Sequence, residues 1–156
     1  MYEYKVKSVE RIVDGDTVDI IIDLGFGLFK KERCRLEGID TPEKRTRDLR
    51  EKRLGVDATE YVEKWFANED GKYQDDIVVR TSKDGKYGRM LAKFHRRETA
   101  FPCSDCCLNY VLIDDGYALP YDGGTKHDMS EDSTLMQMLS KRGYESWDDY
   151  SEQNND

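Results

Sequence analysis

The chain has 156 residues, of which 37% are hydrophobic and 37% are charged. This length suits one domain with a modest core, and no run approaches the roughly 18 apolar residues that a membrane span requires. Residues 1–5 lack the apolar region of a secretory signal, so we expect a cytoplasmic protein. We also expect a monomer with no membrane partner.

The net charge of −8 argues at first against a nucleic-acid partner, because phosphate contacts need Lys and Arg. The distribution of charge along the chain changes this conclusion. Residues 114–156 hold 11 acids and three bases, which accounts for the whole net charge, whereas residues 30–53 hold ten bases and six acids. We therefore expect a single domain at 1–143 and an acidic tail at 144–156, either solvated or disordered.

Five segments have the composition and alternation of β-strands: residues 4–13, 17–24, 28–36, 77–81 and 90–95. Asp14-Gly15 predicts a tight turn between the first two. A basic loop is expected at 44–53, then a helix from Leu54 to about Asp70, a short helix after Asn109, and another over 132–142 that ends at Gly143. Strands with interspersed helices predict a small barrel with helices packed on it.

Carboxylates stand at two of these predicted strand ends. Asp14-Gly15-Asp16 occupies the first turn, and Asp40 follows the third strand. A hard divalent ion such as calcium takes several oxygen ligands, which two such ends, a backbone carbonyl and water can supply. We therefore choose Asp16 and Asp40 as candidate metal ligands.

Arginine and a further carboxylate accompany these acids. Arg35 lies on the third predicted strand, five residues before Asp40, and its planar guanidinium suits two phosphate oxygens. Glu43, just beyond Pro42, is placed to accept a proton from an attacking water. Arg89 would complete a clamp on the phosphate. Each residue taken singly is also compatible with an ordinary turn or an exposed strand face.

Taken together, these segments resemble the staphylococcal nuclease (thermonuclease) family. The resemblance rests on Val13-Asp14-Gly15-Asp16-Thr17, on residues 35–43, and on residues 84–89 followed by Leu91-Ala92, and it covers about residues 4–121. It implies a mainly β fold with α-helices, namely an OB-type five-stranded Greek-key barrel with about three packed helices. It also implies a calcium-dependent endonuclease of DNA, RNA or both that leaves 3′-phosphate ends.

The resemblance also assigns roles to individual residues. Asp16 and Asp40 match the family's calcium carboxylates, and Thr41 matches the residue whose backbone carbonyl joins them. The catalytic matches are Glu43 as general base and Arg35 with Arg89 on the scissile phosphate. The substrate-binding matches are Lys86 and Tyr87 near a terminal phosphate, and Tyr121 under the nucleobase of the substrate.

The chain departs from the family pattern at a cysteine group, Cys103, Cys106 and Cys107. The spacing of Cys103 and Cys106 is that of half a zinc site, but a second pair is missing. A structural zinc ion, free thiols in a reducing compartment and a disulfide all remain open. The acidic tail and the basic loop at 44–53, which either tracks nucleic acid or is merely solvated, are two further departures.

Two rival functions remain. A catalytically silent OB module that binds nucleic acid or protein would be expected to have lost ligands or arginines, whereas the five matched positions here all carry the expected residue types. A small zinc-binding adaptor would leave the carboxylates and arginines unexplained. The sequence does not distinguish DNA from RNA.

Overall fold

The computed structural model describes residues 2–67, 76–84, 89–96 and 106–154. The strands are β1 (Tyr2–Asp14), β2 (Thr17–Gly25), β3 (Leu28–Leu36), β4 (Ile39–Asp40), β5 (Ile77–Asp84), β6 (Met90–Arg96) and β7 (Leu119–Pro120). The helices are α1 (Leu49–Phe66), α2 (Leu108–Asp114), α3 (Asp132–Lys141) and α4 (Trp147–Gln153). None of these helices has the length and apolar character needed to cross a membrane.

Five strands close into a barrel in the order β1-β2-β3-β6-β5, and β4 pairs with β7 in a separate two-stranded sheet. The predicted five-stranded barrel is confirmed. Its neighbours pair antiparallel except β3 and β6, which run parallel with Cys34 opposite Met90. The described residues contain four helices, in keeping with the expected barrel and about three packed helices.

Apolar side chains from the strands fill the barrel's interior. Val18, Ile20 and Ile22 of β2 are buried, and they pack in one core with Phe66 of α1 and Phe94 of β6. Burying a side chain of this size contributes about 1.5 to 3 kcal/mol relative to exposure. This apolar filling fixes the register of the strands on which the polar site residues stand.

Helix α1 begins at Leu49, five residues before the predicted start, so the expected basic loop at 44–53 was wrong in its second half. The carboxylate of Asp48 accepts a hydrogen bond from the backbone N–H of Glu51 at 2.9 Å. Asp is a favoured residue at this capping position because it satisfies an N–H that the helix leaves unpaired. The cap therefore extends the helix through the basic segment.

A second cluster of buried residues lies outside the barrel. It joins α1 and β7 to the C-terminal helices through Leu54, Leu119, Met129, Leu135, Met138, Leu139 and Tyr150. Tyr150 is 1% exposed, although it belongs to the segment expected as an acidic tail. In the described part of that segment the acidic side chains face solvent while Tyr150 anchors α4.

Candidate active site

The turn between β1 and β2 carries the first candidate ligand. Gly15 and Asp16 form it, and a Cβ on Gly15 would lie 2.8 Å from the Cβ of Ala58 and 3.1 Å from the hydroxyl of Thr41. The missing side chain therefore lets the turn press against α1 and Thr41. Asp16 is 4% exposed, and its carboxylate accepts a hydrogen bond from the Thr17 hydroxyl at 2.9 Å.

The second candidate ligand lies in the two-stranded sheet. Asp40 pairs with Leu119 of β7, and its carboxylate accepts a hydrogen bond from the backbone N–H of His127 at 3.1 Å. Asp40 and Thr41 are each 2% exposed. A connection from the C-terminal half of the chain thus covers the acidic end of β4.

The buried carboxyl groups influence one another. Burial, followed by the hydrogen bond and charge of Asp16, raises the pKa of Asp14 to about 7. Burial alone would raise the pKa of Asp16, but the hydrogen bond from Asp14 and the charge of Arg35 lower it below its usual range. Burial also raises the pKa of Asp40. The site therefore concentrates negative charge that a cation would relieve.

Arg35 of β3 is buried beside Asp16. Its Nη1 donates hydrogen bonds to the carbonyls of Leu36 at 2.9 Å and Ile39 at 3.2 Å. Its Nη2 lies 3.4 Å from a carboxylate oxygen of Asp16, and this buried atom has no hydrogen-bond acceptor among the described residues. Charge-assisted hydrogen bonds are usually about 2.7 to 2.9 Å long, so half of the guanidinium has unused capacity.

A cavity of about 400 Å³ opens beside Arg35. The parallel pairing of β3 and β6 sets Cys34 opposite Met90 and thereby brings Arg35 and Arg89 to the same end of the barrel. The guanidinium of Arg35 also lies 5.6 Å from the ring centre of Tyr121. The polar and aromatic lining includes Arg35, Glu37, Arg89, Tyr121, Asp122 and Lys126, so three cations face a space of the size that small ligands occupy.

Glu43 is fixed through its backbone by the first turns of α1. Its N–H donates a hydrogen bond to the Glu51 carboxylate at 3.0 Å, and a Cβ on Gly55 would lie 2.5 Å from the Glu43 carbonyl carbon. The Glu43 side chain is 45% exposed and lies 3.6 Å from the ammonium of Lys126. It therefore occupies the rim of the site rather than its buried interior.

Three further residues shape this site without having been predicted from the sequence: Glu51, Gly55 and Lys126. Asp48 followed three residues later by Glu51 is a helix-start signal that could have located Glu51. Gly55 within a helical pattern signals a close backbone approach. Lys126 had been counted only among the bases of the acidic C-terminal part, and no local pattern marks it.

Other predicted residues are not brought into the site by the described structure. Lys86, Tyr87 and Cys103 lie outside the described residues. Cys106 and Cys107 are buried, and Cys107 forms an isolated backbone bridge with His95. Among the described residues, no set of three His, Cys, Asp or Glu side chains is arranged to hold a metal by itself, so the predicted calcium ion would also need backbone and water ligands.

The closed barrel, with buried carboxylates and a cationic cavity at one end, defines an OB-type barrel protein with a site suited to phosphate esters. The family model described as "Staphylococcal nuclease homologue" matches residues 33–144, and the chain belongs to this family. The matched range includes Arg35, Asp40, Glu43 and Arg89. Asp16 precedes this range, and its place in the site follows from its position beside Arg35.

One curated relative is an uncharacterized protein of Bacillus anthracis, which is 27% identical to this chain over 125 residues. The similarity covers 76% of this chain and 51% of that protein. The chain thus spans about half the length of this relative.

Proposed function

We propose that the protein is a metal-dependent nuclease that hydrolyses phosphodiester bonds of DNA, RNA or both. The observation that carries this proposal is the half-satisfied guanidinium of Arg35, buried between the acidic site and a cavity that Arg89 and Lys126 also line. A buried arginine with unused donors beside a cationic cavity suits a phosphate, whose oxygens accept paired hydrogen bonds. Membership of a nuclease-like family supports the same conclusion.

The residues present fit a divalent ion, for which we propose calcium. Asp16 and Asp40 are buried carboxylates. Burial is the main reason that the pKa values of Asp14 and Asp40 are raised, and the charge of Asp16 adds to it. Asp16, Asp40 and the backbone carbonyl of Thr41 would hold the ion, consistent with calcium's preference for oxygen ligands. When bound, the ion would withdraw charge from a phosphate oxygen and orient water.

The side chains around this ion have complementary roles in the proposed reaction. Glu43 takes the proton of the attacking water, and its exposure at the rim leaves room for that water. Arg35 and Arg89 stabilise the charge that develops on the phosphoryl oxygens. Departure of the 5′-oxygen leaves a 3′-phosphate. Tyr121 supports the nucleobase of the substrate, and Lys86 with Tyr87 binds a terminal phosphate.

Arg35→Lys and Glu43→Ala provide the test, measured on single-stranded DNA, duplex DNA and RNA with calcium, magnesium or chelator. Each substitution should lower the cleavage rate about a hundredfold or more, corresponding to roughly 3 kcal/mol of transition-state stabilisation. Arg33→Lys is the matched control, because Arg33 stands two residues away on β3 with its side chain 52% exposed and paired with Asp19. Activity of the Arg35 or Glu43 variant within a few-fold of the parent would contradict the assigned roles.

One observation favours a silent binding module instead. The Lys126 ammonium lies 3.6 Å from a carboxylate oxygen of Glu43, where it competes with water for the group that the reaction needs as a base. A silent module would bind these nucleic acids without cleaving them under any metal condition. Identification of 3′-phosphate ends on the products, with cleavage abolished by chelator, selects the nuclease.

A further inference from the structure

The hairpin that joins β2 to β3 ends in an apolar surface. We call residues 24–29 the β2–β3 tip. Leu24 is 40% exposed, Phe26 101%, Leu28 59% and Phe29 53%, so six consecutive positions supply four exposed large hydrophobic side chains. Single exposed apolar residues need no explanation, but a cluster of this kind marks an interaction surface.

The backbone of the tip holds Phe26 outward at an energetic cost. Phe26 has a φ of 56°, between Gly25 at 80° and Gly27 at 73°. The left-handed region is accessible to glycine but unfavourable for a residue with a Cβ. Since the Phe26 ring is fully exposed, no packing within the protein offsets this strain. Strained residues of this kind concentrate at functional sites.

Positive charge surrounds the apolar tip. Lys5, Lys7, Lys30 and Lys31 are exposed on β1 and β3 near it, against the acids Glu3, Asp23 and Glu32. The ammonium of Lys7 lies 5.6 Å from the ring centre of Phe29, and Lys30 pairs with Glu32 at 2.6 Å. The local balance is positive although the whole chain carries −8, so the tip is complementary to a polyanion.

The same two strands connect the tip rigidly to the candidate active site. Pairing of β2 with β3 runs from Gly25 opposite Leu28 at the tip to Thr17 opposite Arg35 at the site. Seven steps along β3 separate Leu28 from Arg35, which is about 24 Å at about 3.4 Å per residue. Duplex DNA advances about 3.4 Å per base pair, so the two positions are about seven base pairs apart.

We propose that the β2–β3 tip is a second nucleic-acid contact, at which Phe26 stacks on or wedges between bases while Lys7, Lys30 and Lys31 face the phosphates. The inference rests on the proposed function, because it takes the substrate to be a nucleic acid. Apolar side chains inserted between bases and aromatic rings under them are established modes of sequence-independent binding. A lipid surface has related chemistry, but the rigid link to Arg35 favours a ligand that reaches both places.

The test compares a hairpin-closed DNA stem of about five base pairs, too short to span both contacts, with a duplex of about twenty base pairs. Binding is measured in chelator, so that the result does not depend on cleavage. Phe26→Gly should weaken binding of the long duplex about tenfold and leave the short one unchanged. Lys31→Gln should reduce the slope of log affinity against log salt by about 0.9.

The same Phe26→Gly variant separates recognition from folding, because glycine relieves the left-handed strain. Its melting temperature should rise by about 2 to 4 °C while its affinity for long DNA falls. Leu49→Ser is the matched control, since Leu49 is 79% exposed on α1 and should leave both affinities unchanged.

Two outcomes would overturn the proposal. One is unchanged binding of long DNA by the Phe26 variant. The other is Phe26-dependent sedimentation with phosphatidylserine vesicles, without any effect of Phe26 on DNA binding. A failure of the proposed nuclease function appears separately, as an absence of cleavage when metal is supplied.

Discussion

The two terminal nitrogens of the Arg35 guanidinium differ in their hydrogen bonding. The carbonyls of Leu36 and Ile39 hold Nη1 and thereby fix the plane of the guanidinium, whereas Nη2 faces Asp16 at 3.4 Å. Lysine at this position would retain the charge but could not reproduce the planar fork. This geometry is why the proposed Arg35→Lys variant tests orientation rather than charge alone.

Lys126 is the residue whose contribution is least evident from the sequence. Its ammonium pairs with Glu43 at 3.6 Å. Its charge favours the ionised form of Asp16 and opposes the larger effect of burial, which raises the pKa of Asp40. It therefore offsets part of the negative charge that the proposed calcium ion would neutralise.

We predict that Lys126→Met tightens calcium binding about two- to fivefold, because it removes a like charge worth about 0.5 to 1 kcal/mol at a half-exposed position. Titration calorimetry without substrate measures this directly. Lys141→Met removes the same charge from α3 and should have little effect. Unchanged or weaker calcium binding by the Lys126 variant would show that this ammonium does not act on the metal site.

At the scale of single residues, the motifs predicted the polar groups but not their partners. Asp16, Arg35 and Asp40 could be chosen because their residue types and order are visible along the chain. The proximity of Lys126 to Glu43 depends on the path of residues 121–131, which the pairing of Asp40 with Leu119 determines. A contact between residues this far apart leaves no local periodic signal.

Helix α1 is the element that positions the rim of the site. Glu51 in its first turn accepts the Glu43 N–H, and Gly55 one turn later lets the helix backbone approach Glu43 directly. The five predicted strands agree closely in their bounds with the five barrel strands, whereas β4 and β7, of two residues each, are too short for any pattern to mark them. The helix start was placed late because basic residues at 50, 52 and 53 suggested a loop, although such residues are good helix formers.

We predict that Gly55→Ala destabilises the protein by about 1 to 3 kcal/mol, the usual cost of overpacking. Alanine normally improves a helix by about 1 kcal/mol over glycine, but here its Cβ would meet the Glu43 carbonyl carbon at 2.5 Å. Urea unfolding measures the change. Glu60→Ala, at an exposed position of α1, should stay within about 0.5 kcal/mol of the parent, and stabilisation by Gly55→Ala would disprove the close approach.

For the whole molecule, the C-terminal helices are attached to the barrel by a polar and aromatic cluster. Arg142 donates to Asp57 at 3.0 Å, and the Tyr150 hydroxyl donates to the same carboxylate. The Arg142 guanidinium also lies 4.3 Å from the ring centre of Tyr117. Charge composition suggested only a tail here, because α4 is short and buries a single side chain.

We predict that Asp57→Ala lowers the free energy of unfolding by roughly 3 kcal/mol, because it leaves the mostly buried Arg142 without its carboxylate. The double variant Asp57→Ala with Arg142→Met should recover part of this loss, since no unpaired charge remains. Denaturant titration of the single and double variants completes the comparison. Equal loss in both variants would mean that packing rather than charge attaches the helices.

The parallel pairing of β3 with β6 has a kinetic consequence. It joins Cys34 to Met90 across more than fifty intervening residues, whereas the β1-β2-β3 hairpins can form from neighbouring sequence. Contacts between distant residues form late because their loop closure is entropically costly. The pairing of β1 with β5, which sets Tyr2 opposite Thr81, is also long in range. Arg35 and Arg89 lie beside the β3–β6 pairing, so a folding chain brings its two arginines together only when these distant strands have paired. Partly folded intermediates should therefore lack the proposed nuclease activity, and that activity should recover during refolding no earlier than the phase in which β3 and β6 pair.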